Sequence, residues 1–310
     1  MFGLVRQEIS KHGEKAAVVP IERLQDIRQD IENLKARNNL NNFQRHIINK
    51  MYELDLPQTD FEIRSIILVA SSSPSSIDVN FHWKGKRITL PIPATYTDYI
   101  TAPNKTQQYL SEYLNPKGYN VIVAPRLPRK LLAVRSGLGS YGRNNICYVD
   151  GFGSFCNISP YYTDIPCTED SWSEIRQMDT CETCKACMCN CPTSAIMDDR
   201  FLIDNERCLT CFNEWDSKYD FPEWIDPAAH NSVVGCLSCQ VICPANKEYL
   251  CSTAEPYEFS EEETVSLIEG LPFEQFSGEL RQKVQELGLN DFLCTLPRNL
   301  KVLFDREEIQ

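Results

Sequence analysis

The chain has 310 residues, 42% hydrophobic and 24% charged, an ordinary globular balance that excludes a disordered or fibrous protein. Thirty-one basic against 43 acidic residues leave a net charge of −12. That counts against a large polyanion such as nucleic acid as the main partner, because phosphate contacts call for a basic face. No segment approaches the roughly 20 apolar residues of a membrane span, and Met1–Ser10 lacks the apolar core of a signal peptide. The expected location is therefore the cytoplasm, with no membrane partner.

Along the chain, Leu4, Ile9 and their neighbours predict a helix and Ala16–Val19 a short buried strand. Ile21, Leu24, Ile27, Ile31 and Leu34 recur at helical spacing, and Phe43–Leu54 reads as another helix. Arg64–Ala70 is a compact β-branched run, as a central strand requires, and 71–76 is a serine-rich loop. Val79–Trp83 and Arg87–Ile92 flank Lys84-Gly85-Lys86 as a hairpin. A helix over Lys105–Leu114, a strand over Tyr119–Ala124, a helix over Lys130–Arg135 and a strand over Ile146–Val149 follow, with Pro125 and Pro128 as breaks. Helices interleaved with strands predict an α/β domain over residues 1–171. From Trp172 the chain turns to short cysteine-dense segments, a second domain over 172–255. A helical C-terminal segment over 256–310 follows, with breaks at Pro272 and Pro297.

Fifteen cysteines in a chain with no export signal point to metal ligation rather than disulfides. Cys181, Cys184, Cys187 and Cys191-Pro192 fit C-x2-C-x2-C-x3-C-P, the bacterial ferredoxin run. In two-cluster proteins the first three thiolates of that run hold one 4Fe–4S cluster and the fourth crosses to the other. Cys236, Cys239 and Cys243-Pro244 give the reciprocal C-x2-C-x3-C-P, with Cys208 upstream as the displaced first ligand. The assignment is Cys181, Cys184, Cys187 and Cys243 on one cluster, and Cys191, Cys208, Cys236 and Cys239 on the other. Structural zinc prefers two separated C-x2-C knuckles, which a continuous run fits poorly. Cys208-Leu-Thr-Cys211 is itself a C-x2-C, so Cys211 competes with Cys208 as a ligand.

Gly137-Leu138-Gly139-Ser140-Tyr141-Gly142 matches G-x-G-x-x-G, but a helical signal precedes it where the dinucleotide fingerprint needs a strand. Together, Arg135–Asn144, Gly153-Ser154-Phe155 and the two cysteine runs ending in Cys243-Pro-Ala-Asn-Lys247 resemble the epoxyqueuosine reductase family. Members are cobalamin-dependent, carry two 4Fe–4S clusters and are related in architecture to reductive dehalogenases. The resemblance covers most of residues 1–250. It implies a corrinoid-binding α/β domain followed by a ferredoxin-like two-cluster domain and a helical tail, with Gly137, Leu138, Gly139, Ser140, Tyr141, Gly142, Arg143 and Asn144 among the corrinoid contacts.

Two departures qualify the resemblance. Members that reduce the tRNA base typically carry a helical-repeat extension, and this chain ends about 60 residues after the last cluster cysteine. They also place an aspartate just upstream of the glycine loop as proton donor, whereas no Asp or Glu occurs between Glu112 and Asp150 here. The matching position falls near Ile122–Val123. Tyr141 and Arg143 stand where a donor and a cation would serve catalysis, against a plain packing role for the tyrosine. The expected function is a corrinoid-dependent reductase fed by a low-potential donor of ferredoxin or flavodoxin type. A non-catalytic electron-transfer or corrinoid-reactivating protein is the alternative, and tRNA epoxyqueuosine reduction is disfavoured by both departures and by the charge.

Overall fold

A computed structural model describes residues 1–37, 39–198, 201–252 and 256–309. Helix α1 (Phe2–Lys11) buries Phe2, Val5 and Ile9, and strand β1 (Lys15–Pro20) follows a turn at Gly13. Helix α2 (Arg23–Ala36) buries Leu24, Ile27 and Ile31 at the predicted helical spacing. The helix expected over Phe43–Leu54 is shorter. It runs as α3 (Asn42–His46), opened by an Asn41–Gln44 capping box, and passes into one π turn before Tyr52 goes extended.

Strand β2 (Ser65–Ser72) is buried over its first seven residues. Strands β3 (Ser76–Trp83) and β4 (Lys86–Pro93) form the expected hairpin. Its loop residues Lys84 and Gly85 both have positive φ, the geometry of a two-residue turn that matches strand twist. Helix α4 (Ala94–Leu114) starts eleven residues before the predicted Lys105, because Pro103 is accommodated inside the helix rather than ending it. Strand β5 (Val121–Val123), helix α5 (Arg129–Arg135) and the short strands β6 (Ser140–Tyr141) and β7 (Cys147–Tyr148) precede strand β8 (Cys156–Thr163).

Among the described residues the cysteine-dense stretch carries the short helices α6 (Ala186–Cys189), α7 (Leu209–Asn213) and α8 (Ser238–Val241), with 3-10 turns at Asp179–Cys181, Pro227–Ala229 and Pro244–Tyr249. Strand β9 (Tyr257–Phe259) and helices α9 (Glu261–Ile268), α10 (Gly278–Glu286) and α11 (Leu296–Ile309) complete the chain. Pro297, expected as a break, occupies the first turn of α11, where a missing N–H costs nothing.

The chain divides into two units, residues 1–72 with 100–184, and residues 73–99 with 185–310. In the first, an antiparallel sheet has the order β1-β2-β8-β5. Alternation along β2 sends Ile66 and Leu68 to a core with α2 and α5, and Ile67 and Val69 to a core with α1 and the later turns of α4. Pro160 of β8 accepts from the Ala124 N–H and has no N–H to return, which ends the pairing with β5. In the second unit, β9 joins the β3–β4 hairpin in parallel with β3. Phe81 stacks on Phe259 at 5.0 Å in a core completed by α9, α10 and α11. Among the described residues no helix is long and apolar enough to cross a membrane.

Candidate redox site

The glycine motif belongs to a helix end. Helix α5 closes with Gly137 at φ +75°, whose N–H donates to Val134 O (3.1 Å) while Leu138 N–H reaches back to Ala133 O (2.9 Å). This pair of bonds is the Schellman stop, which needs a left-handed residue at that step. A phosphate-binding glycine loop opens a helix and offers free N–H groups, so this one has the opposite polarity.

Beyond the stop, β6 and β7 form a small hairpin whose tip is tied by Gly142 N–H to Ile146 O (2.8 Å). A Cβ on Gly139 would lie 2.6 Å from Cys147 Sγ and 2.7 Å from Tyr148 O, and one on Gly142 would meet the Tyr148 ring at 2.5 Å. The two glycines let this hairpin close on itself. Asn144 is buried, with Nδ2 donating to Tyr148 Oη (3.0 Å) and Oδ1 accepting from Ile146 N–H. Tyr141 is buried in the core with Cys147 and Tyr162, and burial raises its phenol above its ordinary pKa. Burial likewise pushes the Cys147 and Cys156 thiols up to about 12, which keeps both as neutral packing groups.

Arg143 connects this hairpin to the first cysteine run. Its Nε donates to Cys184 O at 3.0 Å, and its Nη2 donates to Cys181 O and to Glu182 O (3.4 Å). Tyr141 adds backbone bonds to the lead-in segment, with its N–H on Arg176 O (3.0 Å) and its O accepting from Met178 N–H (2.9 Å). Cys181 and Cys187 are buried, and Cys184 is half-buried.

In the second unit Cys191 and Cys236 lie in loops that offer N–H donors to sulfur, and Cys239 lies in α8. Cys191 Sγ accepts from Ala195 N–H (3.3 Å), a turn that Ser194 makes with φ +54°. Cys236 Sγ accepts from Asn231 Nδ2 at 3.2 Å, while Asn231 Oδ1 holds Leu237 N–H at 3.0 Å. Asn190, inside the first run, donates to Ser238 O (2.8 Å) in the second. Cys208 caps α7, and its sulfur takes a hydrogen bond from Cys211 that lowers the Cys208 pKa and raises that of Cys211. N–H groups aimed at sulfur suit thiolates bound to iron, whose potential such bonds tune.

Sequence reasoning missed Asn231 and Asn190. An asparagine five residues before Cys236 is a detectable signal only if side-chain donors to sulfur are sought. It also missed Glu53, whose N–H donates to Arg126 O (3.1 Å) and whose carboxylate pairs with the Arg126 guanidinium at 2.8 Å, just past β5. The fold thus brings a carboxylate from residue 53 to the stretch that has none of its own.

Residues 180–246 match the family described as a 4Fe-4S double cluster binding domain. Similar curated proteins include an epoxyqueuosine reductase of Pseudomonas aeruginosa, 28% identical over 221 residues that make up 64% of this chain and 60% of that one. Another, from Escherichia coli, is 34% identical over 134 residues, 43% of this chain and 34% of the relative. The chain spans about half the length of the curated relatives it matches, 49% in one from Atelocyanobacterium thalassa.

Among solved structures, an epoxyqueuosine reductase with an epoxyqueuosine-modified tRNA-Tyr stem loop aligns over 97% of this chain and 80% of that one. Its TM-score is 0.66 at 18% identity. The Bacillus subtilis enzyme, seen with an aspartate-bearing catalytic loop swung out of its active site, aligns over 97% of this chain and 81% of its own with a TM-score of 0.64. The chain shares the mixed α/β fold of these reductases and carries a double-cluster segment in its C-terminal part.

Proposed function

We propose that this chain is an iron–sulfur reductase in which two 4Fe–4S clusters deliver low-potential electrons to a bound corrinoid. Cys181, Cys184, Cys187 and Cys243 hold one cluster, and Cys191, Cys208, Cys236 and Cys239 the other. The observation that carries this reading is the Arg143 fork, which fastens the glycine hairpin to the carbonyls of the first cysteine run. A planar guanidinium holds several acceptors in fixed geometry, so the hairpin and the cluster segment stay in register during electron transfer. The corrinoid rests on similarity to the reductases, because Gly139 and Gly142 are filled by the chain's own atoms and offer no open cradle. Residues 137–144 are its proposed contacts, of which Gly137, Leu138, Ser140 and Arg143 reach the surface and Gly139, Tyr141, Gly142 and Asn144 are buried. When bound, a corrinoid supplies a reduced cobalt that acts as nucleophile or one-electron donor.

Reduction of epoxyqueuosine in tRNA is the second reading, favoured by the relatives' names and by the solved reductase that holds a tRNA stem loop. The net charge of −12 disfavours long-range capture of RNA. Anaerobic reconstitution should give about eight iron and eight sulfide per chain. Zinc uptake without iron would overturn the proposal. The loaded protein is then supplied with cobalamin, a low-potential reductant and epoxyqueuosine-containing tRNA. Queuosine in the nucleoside digest assigns the tRNA substrate. Its absence, with cobalamin bound, assigns a different substrate.

A further inference from the structure

The segment between the two cysteine runs, residues 206–226, builds a surface that cluster ligation does not require. Helix α7 buries Leu209, Cys211 and Phe212, and the Phe212 ring carries Trp215 (centroids 5.1 Å apart) and Trp224 edge-on (5.5 Å). Arg298 fastens the backbone beneath, donating to the carbonyls of Phe212 (2.6 Å), Trp215 (2.9 Å) and Tyr219 (2.6 Å). Despite that support, Trp215, Tyr219 and Trp224 remain 44%, 57% and 49% exposed. Rigidly held aromatics left half in water mark a contact surface, because tryptophan and tyrosine anchor interfaces at low entropic cost.

Charge identifies the partner. Residues 206–226 hold six acidic and two basic residues; Asp220 and Glu223 are exposed, while Arg207 lies over the Trp224 ring and Lys218 over the Tyr219 ring. Trp215 follows Cys208 by seven residues, just past the end of α7. We infer that this acidic, aromatic face docks a soluble electron-donor protein through a basic patch on the donor, next to the cluster assigned to Cys191, Cys208, Cys236 and Cys239. The inference rests on the two-cluster reading above. Each encounter moves one electron: the donor is oxidised by one, the cluster goes from its 2+ to its 1+ state, and no bond or proton is exchanged. Bases can stack on exposed tryptophans, but six carboxylates against two cations repel a phosphate backbone on balance, so the surface fits a protein better than RNA. A ferredoxin- or flavodoxin-type donor, often acidic overall, would need a basic face to use it.

The test mixes dithionite-reduced, cluster-replete protein anaerobically with an oxidised basic c-type cytochrome, or with an acidic flavodoxin, in a stopped-flow spectrometer. The second-order rate with the cytochrome should fall roughly tenfold as salt rises from about 0.05 M to about 0.5 M. The flavodoxin should react slowly and speed up with salt. The Asp220→Lys/Glu223→Lys pair, and separately Trp224→Ala, should each cut the low-salt cytochrome rate roughly tenfold, with cluster absorbance and circular dichroism unchanged. Unchanged rates in both variants with clusters intact overturn the docking face and leave the two-cluster reading standing. A chain that takes up no iron overturns both. Tighter binding of a tRNA stem loop by the lysine variants, lost in Trp224→Ala, would give the face to RNA and overturn the protein partner.

Discussion

Arg143 earns its place through backbone carbonyls, a role that its residue type alone does not announce. Replacing it with alanine leaves the carbonyls of Cys181, Glu182 and Cys184 without the guanidinium, at a cost of about 2 kcal/mol for lost charge-assisted bonds. Anaerobic urea unfolding followed at the cluster absorbance should show that loss, and Arg143→Lys, a point charge without the fork, should recover only part of it. His230 gives a pH signature. Its ring is buried against Phe221, and Nδ1 meets Asn213 Oδ1 at 3.1 Å. Asn213 Nδ2 is committed to Gly235 O, so the imidazole keeps its proton on Nδ1. Burial, and then Arg298 and Arg306, push its pKa down to about 4. An unfolded imidazole protonates near 6.5. Between those values the unfolded chain binds more protons, so this contribution is whole above about pH 6.5. It is lost as pH falls towards 4, by on the order of 3 kcal/mol. His230→Gln should flatten that part of the profile, read as urea midpoints between about pH 7 and about pH 5.

At the scale of elements, the helix stop and hairpin after α5 account for the whole glycine motif. Gly137 supplies the left-handed step, and Gly139 and Gly142 let β6 and β7 close. A methyl group at Gly139 has nowhere to go, since Cys147 Sγ and the Tyr148 carbonyl already occupy its place. Gly139→Ala should therefore destabilise the protein by about 1–3 kcal/mol, visible as a lowered melting temperature. Adding Cys147→Ala should recover part of the loss but not all, because the backbone carbonyl remains. A sequence reader meets this motif as a possible cofactor loop. Only the direction in which it leaves α5 separates a helix end from a phosphate cradle. The same scale explains the missed strand β8: Cys-Asn-Ile-Ser-Pro-Tyr-Tyr-Thr lacks a clean alternation and carries a proline. It is a strand because β2 pairs with it over all eight residues and buries it.

For the whole molecule, what was legible in the chain was local. The cysteine runs are readable because a cubane needs closely spaced thiolates, β2 because a strand buried on both faces is a continuous β-branched run, and the β3–β4 hairpin because a two-residue turn leaves its mark within ten residues. Resemblance to the reductases was readable for the same reason, since its motifs are contiguous. Tertiary structure alone decided the rest. It joined residues 73–99 to 185–310 through the β3–β9 pairing, a contact across 178 positions that no window on the sequence contains. It brought Glu53 to Arg126, Arg143 to the first cysteine run and Arg298 beneath the exposed tryptophans. These contacts depend on which distant surfaces bury each other, and burial is a property of the packed chain rather than of any one segment.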